Sequence, residues 1–147
     1  MEIKKTIAEI EEEIIEEFGL FDEWDDKYEY IIDLGKKLPV LPSVHKIDEN
    51  RVRGCQSTVW LVAERRGDRV YYQADSDSVI VKGLISMLIR VLSGQRADDI
   101  IEAKLGFIQA IGMTTHLAQT RSNGLVAMVK QMKSYAMAFK LMDKSSG

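Results

Sequence analysis

The segment Thr58–Gly94 reads TVWLVAERRGDRVYYQADSDSVIVKGLISMLIRVLSG, and its two halves follow different periods. Thr58–Glu64 is rich in β-branched and aromatic residues, the composition of a strand. Arg66-Gly67-Asp68 is a turn signal and Val70–Ala74 is a returning strand, so the first half predicts a hairpin. Asp75-Ser76-Asp77-Ser78 then offers several N-cap residues, Asp77 the simplest, before a mostly apolar helix that Gly94 terminates.

Upstream, Ile3, Ile7, Ile10, Ile14 and Phe18 recur at three- and four-residue steps, one face of a helix ended by Gly19. A second helix is expected from a cap at Asp25 or Asp26 through Leu38, with Tyr28, Ile31, Ile32 and Leu34 inward; Pro39 and Pro42 stop it. Downstream come short helices over ADDIIEAKL and FIQAIGM, then a long amphipathic helix that Asn123-Gly124 introduces. Its methionines suit adaptable core filling. A hairpin alone is marginal, so a third strand is expected around Lys46–Arg53. Without βαβ alternation, the order predicts an α+β fold: a small antiparallel sheet of about three strands with helices packed on it.

A length of 147 residues suits one domain, residues 1–147, with no interdomain linker or repeat. One cysteine excludes an internal disulfide. Charges interrupt every apolar run before the about 18 residues a membrane span needs, and the glutamate-rich start predicts no signal peptide. A cytoplasmic protein is expected. Residues 1–33 hold 13 of the 23 acidic residues and three of the 20 basic ones. Such a surface repels phosphate, arguing against nucleic acid, and reads as a solvated helix face or a docking surface.

The single cysteine stands in VRGCQSTVW, Val52–Trp60. Free cysteines are often buried and inert. Against that, Gly54 permits a sharp bend, and Arg51, Arg53, Gln56 and Ser57 make a polar loop whose arginines favour the thiolate. Inert packing and a reactive thiol both stay open at this point. A metal site is disfavoured: Cys55, His45 and His116 have no ligand spacing. A cysteine hydrolase using Cys55, His116 and Asp77 has the residue types without a specific spacing.

Four blocks in this order resemble the SufE family, the sulfur acceptors that work with cysteine desulfurases in iron–sulfur cluster assembly. They are KYEYIIDLGKKLPVLP (Lys27–Pro42), NRVRGCQSTVWLV (Asn50–Val62), DSDSVIVKGLI (Asp75–Ile85) and THLAQTRSNGLVAM (Thr115–Met128). The likeness spans about residues 24–138; Thr58 stands where many members carry glutamine. It implies a two-layer fold shared with IscU-type scaffolds. It also implies that Cys55 accepts persulfide sulfur from a SufS-like desulfurase, stimulates that enzyme, and passes the sulfur to a SufBCD-like scaffold. No cofactor of its own is implied, since pyridoxal phosphate resides on the desulfurase, and no independent turnover is expected.

Trp60 or Val52 would cover the sulfur at rest, with Gly54 as a hinge. Arg121 would stabilise the thiolate or bind a partner carboxylate, or make a helix-entry salt bridge; His116 would serve as a base or a structural hydrogen bonder. Asp77 would cap the helix or set the resting position of the loop, Gln56 would support the cysteine, and Lys82 would help to dock the desulfurase. A monomer or a weak homodimer fits. Two rival readings are the hydrolase and a module that activates a desulfurase without carrying sulfur.

Overall fold

Alternating burial along two strands builds the sheet. In the computed structural model, which describes residues 5–113 and 119–146 (side chains of 119–123 and 143–146 excepted), β1 spans Val59–Arg66 and β2 Arg69–Ser76. They pair antiparallel from Val59↔Ser76 to Arg66↔Arg69, around a turn in which Gly67 has φ 63°. Val59, Leu61, Val70, Tyr72 and Ala74 are buried along one register-matched set, as a half-covered sheet requires.

The third strand is not the one expected. Residues 43–45 and 48–50 are short 3-10 turns, and the segment meets β1 through an isolated bridge from Arg51 to Trp60 and one bond from Val52 N–H to Val59 O. β3 is Gln95–Arg96, antiparallel to β2, giving the order β1-β2-β3. Gly94, at φ 83°, turns the chain back after the apolar helix, and its N–H donates to Val70 O at 2.7 Å.

Helices α1 (Ile7–Phe18) and α2 (Trp24–Lys36) precede the sheet, and α3 (Val79–Leu92) follows the hairpin. Thr6 and Glu9 form a capping box on α1, whose Ile10, Ile14 and Phe18 are buried. Ile3 lies outside the described residues. α2 opens at Trp24 after Glu23, slightly earlier than the aspartates suggest, and buries Ile31 and Gly35. α3 is apolar nearly all round and buries Ile80, Val81, Leu84, Ile85, Leu88 and Leu92 among others, so it is the central helix of the core. α2 and α3 meet backbone to backbone: a β-carbon on Gly83 would stand 2.1 Å from Ile31 O, and one on Gly35 2.7 Å from Gly83 N.

Two short helices, α4 (Ala97–Glu102) and α5 (Phe107–Ala110), lead to the long α6, Gln119–Ser146. α6 starts four residues before the Asn123-Gly124 pair, which is helical and not a turn. Met128, Met132 and Ala136 bury into the core, and Tyr72 Oη donates to Met132 O at 2.6 Å, tying α6 to the sheet. No helix among the described residues is long and apolar enough to cross a membrane.

Candidate functional site

Cys55 stands on a short excursion from the edge of β1. Its neck is closed by Val52 N–H donating to Val59 O at 2.9 Å, next to the Arg51–Trp60 bridge. The exit is pinned further at Thr58. Thr58 N–H donates to Asp77 Oδ1 at 3.0 Å. Thr58 O accepts from Asp77 N–H at 3.2 Å and from Ser76 Oγ–H at 2.8 Å. Between these anchors the chain turns at Gly54, whose φ of 93° is a conformation that L side chains rarely adopt. A β-carbon there would also press on Ala127 Cβ at 3.3 Å.

The turn carries Cys55 inward against α6. The thiol is half-buried, packs at the margin of the core, and donates to Gly124 O at 3.5 Å. Burial pushes its pKa up, because a thiolate loses more hydration than a thiol. This corrects the expectation that nearby arginines favour the thiolate at rest. Arg51 instead reaches Asp48, at 3.9 Å, and among the described residues no charge offsets the desolvation of the sulfur. Gly54 and Gln56 are exposed on the loop. An open groove of about 430 Å³ runs alongside, walled by Arg53, Gly54, Val126, Ala127 and Lys130.

Asp77 is not the cap of α3. Ser78 is, with its hydroxyl accepting from Val81 N–H at 3.4 Å. The Asp77 carboxylate accepts instead from Thr58 N–H at the exit of the cysteine loop. Its neighbour Asp75 is nearly buried between Lys46 Nζ at 2.9 Å and Lys82 Nζ at 3.4 Å. Burial pushes the Asp75 carboxyl up, but the Lys46 and Ser76 hydrogen bonds and the Lys82 charge outweigh it and hold it below the ordinary carboxylate range. Lys46 also sits 5.5 Å from the centroid of the half-buried Trp60 ring. Val52 belongs to the core cluster against which Cys55 packs, and α6 adds the Gly124 carbonyl as a further contact at the sulfur.

His116 lies outside the described residues, as does the side chain of Arg121, whose backbone is in the first turns of α6. Among the described residues no three His, Cys, Asp or Glu groups gather as metal ligands. Sequence reasoning missed Gly124, Thr58 and Ser76. Gly124 is 69 positions from Cys55 and carries no local sign of the contact.

The model of the Fe-S metabolism associated domain, SufE, matches residues 12–136. An uncharacterised SufE-like protein of Rhizobium meliloti is 42% identical over 131 residues, 85% of this chain and 93% of that protein. A SufE-like protein of Synechocystis is 38% identical over 128 residues, 87% and 80% of the two chains. SufE-like protein 1 of Arabidopsis thaliana, chloroplastic/mitochondrial, is 39% identical over 140 residues, 92% of this chain and 38% of that longer one. The solution structure of a hypothetical protein from Thermus thermophilus superposes with a TM-score of 0.73 at 19% identity, over 88% of this chain and 94% of that one; at this identity it shows the fold alone.

Proposed function

Because the chain belongs to the SufE family of Fe-S metabolism associated domains, we propose that it is a sulfur carrier whose acceptor is Cys55. The thiolate attacks the outer sulfur of a persulfide held by a SufS-like, pyridoxal-dependent cysteine desulfurase. The donor S–S bond breaks, the desulfurase thiolate leaves, and a new S–S bond stands on Cys55. A thiol of a SufBCD-like scaffold then takes that sulfur by the same exchange, with no net oxidant. Removing the persulfide is also how the chain stimulates the desulfurase. No independent turnover is part of this scheme.

The observation that supports this reading is the placement of the chain's one thiol. It lies half-buried against α6 in a turn whose two ends are pinned and whose tip is Gly54. A sole thiol suits a carrier: a second one nearby would attack the persulfide, release sulfide and close a disulfide. Burial that favours the neutral thiol at rest weakens it as a nucleophile until docking draws the tip outward.

The test is mass spectrometry after incubation with a cysteine desulfurase and L-cysteine. The expected result is a gain of one sulfur on the Cys55 peptide, removed by reductant, and loss of desulfurase stimulation in Cys55→Ser. Stimulation retained by Cys55→Ser would overturn the carrier reading and leave a module that activates the enzyme without carrying sulfur.

A further inference from the structure

Gly124 is buried inside regular helix, a position where glycine costs about 1 kcal/mol relative to alanine. Glycines are retained in helices where the backbone needs a positive φ or where another backbone comes too close. Gly83 has the second reason, with Ile31 O 2.1 Å from its missing β-carbon. Gly124 has neither. The nearest atoms to a β-carbon there all belong to Cys55: Sγ at 3.5 Å, Cα at 3.9 Å and Cβ at 3.9 Å. These are ordinary contact distances, so the resting thiol form accommodates alanine.

A sulfur bound to Sγ is another matter. It stands about 2.05 Å out and needs its own contact distance beyond that. Gly124 O lies 3.5 Å from Sγ along the direction in which the thiol donates, so the added atom cannot follow that direction. A β-carbon at 124 would close the adjacent side.

We propose that Gly124 is a positioning residue for the sulfur-transfer reaction: its missing side chain leaves the space beside Cys55 Sγ into which the transferred sulfur returns when the loop closes. The inference rests on the sulfur-carrier reading above. In the step itself, the Cys55 thiolate attacks the outer sulfur of the donor persulfide, the donor S–S bond breaks, and its electron pair leaves on the donor thiolate.

Gly124→Ala and the wild type are to be offered glutathione persulfide as a small probe, and separately a desulfurase with L-cysteine, with loading followed by intact mass. The unloaded variant should unfold about 2–4 °C above the wild type, yet its loaded form should hold the loop open, so that iodoacetamide alkylates the Cys55 persulfide about tenfold faster than in the wild type. In the wild type, loading should shift the Gly124 amide signal in a nitrogen–proton correlation spectrum, a readout that needs no variant. Alkylation of the loaded variant within twofold of the loaded wild type, or a Gly124 signal unmoved by loading, overturns the role of Gly124 while leaving the carrier intact. A wild type that takes no sulfur from either donor overturns the carrier reading, and this inference with it.

Discussion

Replacing Asp77 by alanine removes one bond at the exit of the cysteine loop, Thr58 N–H to Asp77 Oδ1 at 3.0 Å. The other two bonds at Thr58 use the Asp77 backbone N–H and the Ser76 hydroxyl, and both groups survive the substitution. The lost bond is solvent-exposed, so it contributes about 1 kcal/mol. That weakens the closed loop against the open one by about fivefold. If Cys55 reacts from the opened loop and the loop recloses faster than reagent attacks, alkylation follows the open fraction. Iodoacetamide kinetics, followed by intact mass at one pH, should therefore run about fivefold faster in Asp77→Ala. Asp77→Asn keeps an oxygen acceptor at the same place and should stay close to wild type. An unchanged rate in Asp77→Ala, or an equal rise in both variants, would refute the idea that this side chain holds the loop shut.

Gly83→Ala would put a β-carbon 2.1 Å from Ile31 O, forcing α2 and α3 apart. Even after the helix-propensity gain, the loss should be about 2 kcal/mol or more, and thermal denaturation should fall by about 4–8 °C; an unchanged midpoint contradicts the packing. Gly54→Ala places a side chain at φ 93° and should cost about 1–2 kcal/mol in chemical denaturation. It should also slow sulfur transfer, and an unaltered transfer rate removes Gly54 as the hinge. Burial favours the neutral thiol of Cys55, so the folded state loses stability relative to the unfolded state as pH rises through the ordinary thiol pKa of about 8.5. Alkylation of the folded protein should accordingly reach its half-rise at a higher pH than the same protein in urea, and coincident profiles count against the resting burial.

The hairpin and α3 are legible because the period of apolar residues changes at Asp75–Ser78, where four capping residues stand together. The third strand is not. It is two residues long, and its pairing is set by the free edge of β2 around Val70, a tertiary choice without a local pattern. Asn123-Gly124 reads as a turn, yet its glycine belongs to a helix whose face meets Cys55. Cys55 stands out because it is the only thiol and follows a glycine. The upward push on its pKa does not, because α6, far along the chain, contributes to the burial behind it. Asp77 illustrates the same limit: Ser78 and Asp77 both suit a cap, and only the fold shows Thr58 within reach of the carboxylate.

The Val52–Val59 bond at the neck makes the intervening residues a closed ring whose two ends touch. Lengthening such a ring is thermodynamically cheap: closure entropy grows only logarithmically, about 0.6 kcal/mol for each doubling. The segment is thus a cassette, in which extra residues extend the reach of the thiol while the hairpin, α3 and the interior beneath keep their geometry. Reach toward different recipients is a property that engineering can adjust here with little disturbance to folding.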